Sequence, residues 1–212
     1  PEDCLTREKD LIGFYLSGDP LEQFYDDLKE FSNVDMLELP NKLPEKIKIG
    51  GIITNVNQRF DKKNRPWAIV SVDGMQGKAE IFVFNKIYEK YSNLLIEDHK
   101  IFIQGKPSNR GEDSATPKII ADHIYNLKNI RDNLARAINI KIPYTYQDPN
   151  ILDKIKKIAK AHPGKLPVIL YLENSDQTFN KIRISKIRLS SDSDCLKILR
   201  NNLEEATIRI GI

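Results

Sequence analysis

The hydrophobic period of this chain changes near residue 46, and that change limits the folds open to it more than any other feature. Before it, Leu21, Phe24, Tyr25, Leu28 and Phe31 recur at helical spacing. After it, apolar and polar residues alternate in short runs. Lys46 to Phe60 reads as a long first strand interrupted by Gly50-Gly51. A glycine pair inside a strand predicts a sharp bend or a bulge. Asp61-Lys62-Lys63-Asn64-Arg65-Pro66 is a polar turn, Trp67 to Val72 a second strand, and Asp73-Gly74 opens the next turn. Lys78 to Phe84 alternates as a third strand. Asn85 to Leu95 returns to helical spacing through Ile87, Tyr88, Tyr91, Leu94 and Leu95. Lys100 to Lys106 and Lys118 to Leu127 are strands four and five, separated by the polar loop Ser108 to Thr116. Three strands, a helix and two strands, in that order, predict a five-stranded Greek-key barrel of the OB type, with the helix between strands three and four.

The flanks have different patterns. Residues 5–31 predict two short helices. The first carries the stripe Leu5, Ile12, Tyr15 and Leu16 with Thr6 as its cap; Ser17-Gly18-Asp19-Pro20 breaks it, and Asp19 caps the second. Pro40 and Pro44 mark a linker. Beyond the barrel, Arg136 to Ile142 reads as a strand, Asp148-Pro149 starts a helix with the stripe Ile151, Leu152, Ile155, Ile158 and Ala159, ended by His162-Pro163-Gly164, and Leu166 to Glu173 reads as an apolar strand. Lys181 to Ser185 is followed by a near copy, Lys186 to Ser190, then a helix over Asp192 to Leu203 and a last strand over Thr207 to Ile210. The copy has an odd period, so a straight strand would swap faces; a bulge is expected near Ser185 and Lys186. This β-α-β-β-α-β order predicts a split-βαβ, ferredoxin-like sandwich. The fold class is therefore α+β, mostly β, in three parts: a helical lead-in over 1–45, an OB domain over 46–130, and a small α/β domain over 136–212.

Composition excludes several classes. With 40% hydrophobic and 30% charged residues, global disorder is not expected. No apolar run approaches the ~20 residues that span a bilayer, and the first ten residues lack the apolar core of a signal peptide. Cys4 and Cys195 stand far apart, which suggests a reducing, cytoplasmic setting and no disulfide scaffold. An opening on Pro1 instead of Met suggests a cut from a longer polypeptide. The net charge of +3 is modest, so any polyanion-binding surface must come from local clustering.

The densest cluster is Arg59, Lys62, Lys63 and Arg65 around the first turn, opposed by Asp61 alone. In an OB barrel that loop flanks the nucleic-acid groove, where Lys and Arg neutralise phosphates; a solvated basic turn is the alternative. Alternation places Ala79, Ile81 and Val83 inward, with Lys78, Glu80, Phe82 and Phe84 outward, so that Phe82 and Phe84 sit partly on a surface. Likewise Ile101 and Ile103 point inward and Lys100, Phe102 and Gln104 outward, while Trp67 and Ile69 oppose Ala68, Val70 and Val72. Outward rings beside a basic loop suit single-strand binding. The alternative is that the phenylalanines pack under the helix at 86–94 or against a neighbouring domain, a reading favoured for Phe84 and left open for Trp67 and Phe82. Arg110 and Gly111, flanked by Lys106 and Lys118, would form the groove's other rim, or else a solvated hairpin. His99, His123 and His162 have no metal-ligand spacing, there is no P-loop or G-x-S-x-G, and the carboxylates form no cluster for paired Mg²⁺. No catalytic residue, metal site or cofactor is assigned. Lys154, Lys156, Lys157 and Lys160 read as a solvated helix face.

Three stretches resemble one family. Arg7 to Leu21, with Gly13, Tyr15 and Ser17-Gly18-Asp19-Pro20-Leu21, resembles the segment leading into the OB domain of bacterial DNA polymerase III alpha subunits. Gly51-Ile52-Ile53 through Arg59, with Lys62-Lys63 and Pro66-Trp67-Ala68, looks like that family's first two OB strands, and Glu80 to Tyr88 its third strand and following helix. The similarity covers residues 5–130; residues 136–212 follow by position. Asp19 stands where the family usually has histidine. The resemblance implies a parent that extends DNA with Mg²⁺ at carboxylates upstream, an OB domain that holds single-stranded template, and a last domain that contacts the clamp loader's tau subunit among other replisome proteins. The stretch itself would be non-catalytic, with no small-molecule substrate and no membrane partner. Two alternatives remain: a protein-interaction module on a structural barrel, docking a partner through Leu166–Leu172 and Ile208–Ile212, or a tRNA-binding OB domain.

Overall fold

A computed structural model describes residues 18–39, 44–108, 116–146 and 148–212. The expected first helix lies outside the described residues. The chain divides into two units, Pro1–Ile130 and Arg131–Ile212.

In the first unit Asp19 caps a tight turn: its Oδ1 accepts the Leu21 N–H at 2.7 Å and its carbonyl the Glu22 N–H at 3.0 Å. A single 3-10 turn over Glu22–Phe24 then leads into α1, Tyr25–Phe31. The expected helical stripe is the buried face, with Leu21, Phe24, Leu28 and Phe31 all sealed.

Five strands close into a barrel: β1 (Ile47–Phe60), β2 (Pro66–Asp73), β3 (Lys78–Val83), β4 (Lys100–Pro107) and β5 (Lys118–Asn126), in the spatial order β1-β2-β3-β5-β4. This is the OB arrangement that the element order predicts. Closure depends on the length of β1. Residues 47–52 pair with β4, whereas residues 52–60 pair with β2. The inward alternation holds: Ile49, Ala68, Val70, Val72, Ala79, Ile81, Val83, Ile101 and Ile103 are all buried in one core. α2 (Asn85–Tyr91) joins β3 to β4, and Ile87, Tyr88 and Tyr91 pack on that core.

The glycine pair does a different job from the one expected. Both glycines stay in regular pairing, Gly50 with Phe102 and Gly51 with Ile101. The register shift falls further along, between Ile53 and Asn55. A Cβ on Gly50 would meet Leu28 Cδ2 at 2.4 Å, and one on Gly51 would meet the Asp73 carbonyl oxygen at 2.4 Å. The pair exists for close approach of neighbouring chain.

The second unit is a four-stranded sheet of β6 (Ala137–Ile142), β7 (Pro163–Glu173), β8 (Phe179–Leu189) and β9 (Thr207–Gly211), with α3 (Ile130–Leu134) at its entry, α4 (Ile151–Ala161) between β6 and β7, and α5 (Ser193–Asn202) between β8 and β9. The expected element order is present, but the ferredoxin-like arrangement is not. Spatial order is β8-β7-β6-β9, with β7 directly beside β6 and parallel to it. A split βαβ would insert β8 between them; here the crossover through α4 returns to the adjacent position. The expected bulge in β8 is present. Pro167 pairs with Arg188 while Val168 pairs with Ile184, leaving Ser185, Lys186 and Ile187 to bow out. The bulge restores face registry across the two near copies. Asp192 caps α5 by accepting the Cys195 N–H at 2.6 Å.

Candidate nucleic-acid interface

The barrel's outer face over β2 and β3 carries an aromatic cluster. Pairing sets Arg59 opposite Trp67, and Ile69 opposite Phe82, which in turn lies beside Ile120. Trp67 lies 6.5 Å from Phe82 and 5.4 Å from Phe84, centroid to centroid, and Phe82 stacks on Phe84 at 6.0 Å with the planes 3° apart. The Arg59 guanidinium sits 5.9 Å from the Trp67 ring centre.

Exposure corrects two expectations. Phe82 faces outward as alternation requires, but it is only 8% exposed, because its row neighbours and the other two rings cover it. Trp67 and Phe84 are the half-buried pair that keeps ring surface at solvent. Phe84, for which packing under the following helix or against a neighbouring domain is the favoured reading, is the N-cap residue of that helix and lies half-buried beside Trp67. Phe102 also faces outward from the barrel but is 0% exposed, capped edge-on by Phe31 of α1 at 6.4 Å. It is a core residue of the unit.

The first turn is more ordered than a solvated basic loop. Asp61 organises it: Oδ1 accepts the backbone N–H of Lys63 at 2.8 Å and of Arg65 at 2.9 Å, while Oδ2 takes the Arg65 Nε at 2.8 Å. A second arm of the same guanidinium lies 2.8 Å away. These bonds to the backbone and to Arg65 hold the Asp61 carboxyl below its ordinary value. Asn64, at φ 57°, makes the tight reversal in the left-handed region that asparagine tolerates. The consequence for charge is direct. Arg65 is ion-paired within the turn although its side chain stays 52% exposed, and the exposed cations beside it are Arg59, Lys62 and Lys63.

Among the described residues the other rim is sparser. Lys106 is exposed on β4, paired in register with Ile120, the neighbour of Phe82. Lys118 is half-buried, with Nζ 4.0 Å from Glu80, so its charge is partly answered. Arg110 lies outside the described residues. One residue passed over in the sequence is Phe60, 60% exposed at the end of β1 and paired with Pro66. The polar run Asn57-Gln58-Arg59 before it and the polar turn directly after it were the available signals, since a strand running past the barrel's end exposes both faces.

Half-buried rings beside unpaired cations are the components of a stacking platform flanked by phosphate contacts. Among the described residues no group of His, Cys, Asp and Glu could hold a metal ion, and no helix is long and apolar enough to cross a membrane.

By strand order the first unit is an OB-type barrel, and its ring cluster lies at β2 and β3 with Arg59 of β1 beside it. Along most of its length the chain is similar to a stretch of the DNA polymerase III alpha subunit. It is 26% identical to that of Saccharopolyspora erythraea over 90% of this chain and 16% of the relative, and 27% identical to that of Borreliella burgdorferi over 93% and 18%. The Bacillus subtilis subunit is 27% identical over 83% and 16%. The chain thus spans less than a fifth of the length of these curated relatives. The resemblance expected from Arg7 to Leu21 and from the barrel strands to this family is therefore borne out for the chain as a whole. No family model matches the chain. Among solved structures, the mitochondrial single-stranded DNA binding protein Rim1 of S. cerevisiae is similar at 15% identity, covering 41% of this chain and 97% of that one with a TM-score of 0.34. An OBody bound to hen egg-white lysozyme is similar at 12% identity, with coverage of 45% and 94% and a TM-score of 0.37. The barrel assignment rests on strand order and not on these two likenesses.

Proposed function

We propose that this chain is the template-holding part of a replicative DNA polymerase, and that its OB barrel binds single-stranded DNA across Trp67 and Phe84. The observation that carries the reading is the continuity of Arg59, Trp67 and Phe84 with the cationic turn. Arg59 already lies against the indole, 5.9 Å from its centre, and Lys62 and Lys63 stand exposed at the same mouth. A base stacked on Trp67 would lie close to the Arg59 guanidinium, with Lys62 and Lys63 on the adjoining turn for the flanking phosphates. The likeness to polymerase III alpha subunits supports the replicative setting, in the cytoplasm. Strand extension and its Mg²⁺ would belong to the rest of such a polymerase, and no catalytic or cofactor role falls to this stretch.

The test is an anisotropy titration of labelled oligo-dT at several salt concentrations. Each single-strand phosphate contact contributes about 0.7 to the slope of log K against log salt. Substituting Arg59, Lys62 and Lys63 together by Ala should reduce that slope by about 2. A slope that the triple substitution leaves unchanged would remove the barrel from the binding site.

A second reading concerns the other unit. An open groove of about 500 Å³ runs between α4 and β8, lined by Leu152, Leu172, Ile182 and Ile184 among others. Leu152 and Ile182 are 44% and 45% exposed. This groove supports docking of a replisome protein such as the clamp-loader tau subunit. The surface differs from the one expected: Val168, Leu170, Ile208 and Ile210 are sealed beneath the helices, which leaves only the edge of that apolar layer open. Loss of tau binding on Leu152→Asp with Ile182→Asp would support it; unaltered binding would dismiss it.

A further inference from the structure

Among the described residues, α4 and α5 of the second unit bury one face of its sheet. Ile138, Ile140, Val168, Leu170, Ile208 and Ile210 are buried on the side that holds Ile155 and Ile158 of α4 and Leu196 and Leu199 of α5. The alternate residues form the opposite face, and the register lays them out in rows. One row runs Arg209, Asn139, Ile169, Arg183; the next runs Thr207, Lys141, Tyr171, Lys181. Arg209, Lys141, Lys181 and Arg183 are all exposed. At the far end Phe179 pairs with Glu173 and is 39% exposed. Each of the two rings carries a lysine on its face: Lys141 Nζ lies 4.3 Å from the centre of Phe179, and Lys181 Nζ lies 5.7 Å from that of Tyr171.

We infer that this open sheet face is a second single-stranded nucleic-acid surface, carried by the second unit. Charge and chemistry favour that occupant. The paired positions present four cations against one carboxylate, Glu173, which also accepts the Tyr144 backbone N–H at 3.3 Å. An acidic protein would use the cations but would have no need of the rings. A polynucleotide uses both, since bases stack on rings and phosphates meet Lys and Arg. Some four-stranded sheets stack bases on aromatic side chains of one face; here Tyr171 lies on the central β7 and Phe179 on the edge strand β8. Tyr171 and Phe179 sit diagonally on β7 and β8, the distance at which long side chains on one face still act together. A base arriving on either ring displaces an ammonium group, which is then placed to meet the phosphate beside it.

The experiment uses the full chain. Photo-crosslinking to an oligonucleotide carrying 5-iododeoxyuridine should label peptides containing Tyr171 or Phe179 as well as the barrel. Substituting Lys141, Lys181, Arg183 and Arg209 by Gln, all at exposed positions, should reduce the salt slope by about 3 and weaken binding of a 30-nucleotide strand at least tenfold at 0.1 M salt. Circular dichroism checks that this variant remains folded; Lys141→Gln with Arg209→Gln, which should halve the slope change, serves if it does not. Unchanged affinity and slope, or crosslinks confined to the barrel, would overturn the inference while leaving the barrel reading intact. Poly-glutamate binding as tightly as the oligonucleotide would also overturn it, assigning the face to acidic protein. Loss of binding in the sheet variant alone, with the Arg59, Lys62 and Lys63 variant unaffected, would uphold it and refute the barrel reading.

Discussion

Asp61→Asn separates a phosphate-binding turn from a merely solvated one. Asp61 has two tasks: Oδ1 accepts two backbone N–H groups that shape the turn, and Oδ2 neutralises Arg65. Asparagine keeps an oxygen for the first task and removes the charge needed for the second. The turn should therefore persist while Arg65 becomes available to DNA. One further phosphate contact adds about 0.7 to the magnitude of the salt slope, a gain of about fivefold in affinity at 0.1 M salt. Because its partners hold the Asp61 carboxyl below the ordinary range, it is fully ionised in the wild type at neutral pH, and the comparison is clean there. The assay is anisotropy of labelled oligo-dT between 50 and 200 mM salt (roughly the range over which such slopes are read), with circular dichroism as the check on folding. An unchanged slope, or weaker binding by a folded variant, would refute the assignment of this turn to phosphate contact.

Three predictions address the fold. Phe102→Ala removes a fully buried ring packed against Phe31 and should cost about 3–5 kcal/mol in urea denaturation; a loss under about 1 kcal/mol would mean that α1 does not seal the barrel. Gly51→Ala places a Cβ against the Asp73 carbonyl oxygen and Val72, so backbone must move; a destabilisation of about 1–3 kcal/mol is expected from the same denaturation curves. Burial, then the nearby Asp192 charge, pushes the Cys195 thiol up to about 11, so in a Cys4→Ser chain it should ignore Ellman's reagent until the protein unfolds. Its folded value lies above its ordinary 9.0, so the unfolded state loses the proton first; stability should fall as pH rises from 9.0 to about 11, by at most about 1.4 kcal/mol per pH unit, and Cys195→Ala should remove that component.

Much of the barrel was legible because its information is local. Alternation identified the inward residues Ala79, Ile81 and Val83, and the helix between strands three and four marked the topology. The odd period of the Lys181–Ser190 repeat foretold the β8 bulge for the same reason. What was illegible depended on distant chain. Alternation shows that Phe102 and Phe82 face outward, but not that Phe31, far earlier in sequence, covers one of them, or that Trp67 and Phe84 cover the other. The Gly50-Gly51 pair looks the same whether it makes a bulge or admits Leu28 and Asp73. Element order in the second unit could not choose between adjacent and split crossovers, because both serve the same hydrophobic pattern. At the site, the cluster of cations was visible in the sequence, whereas the pairing that takes Arg65 out of it needed the turn's geometry.

Trp67 is the chain's one tryptophan, and its ring is the platform on which the central claim rests. Its emission on titration with unlabelled oligo-dT is therefore the most direct measurement. The account predicts saturable quenching at low salt that fades as salt rises, in parallel with affinity. Oligonucleotide bound to saturation with no change in Trp67 emission would contradict it.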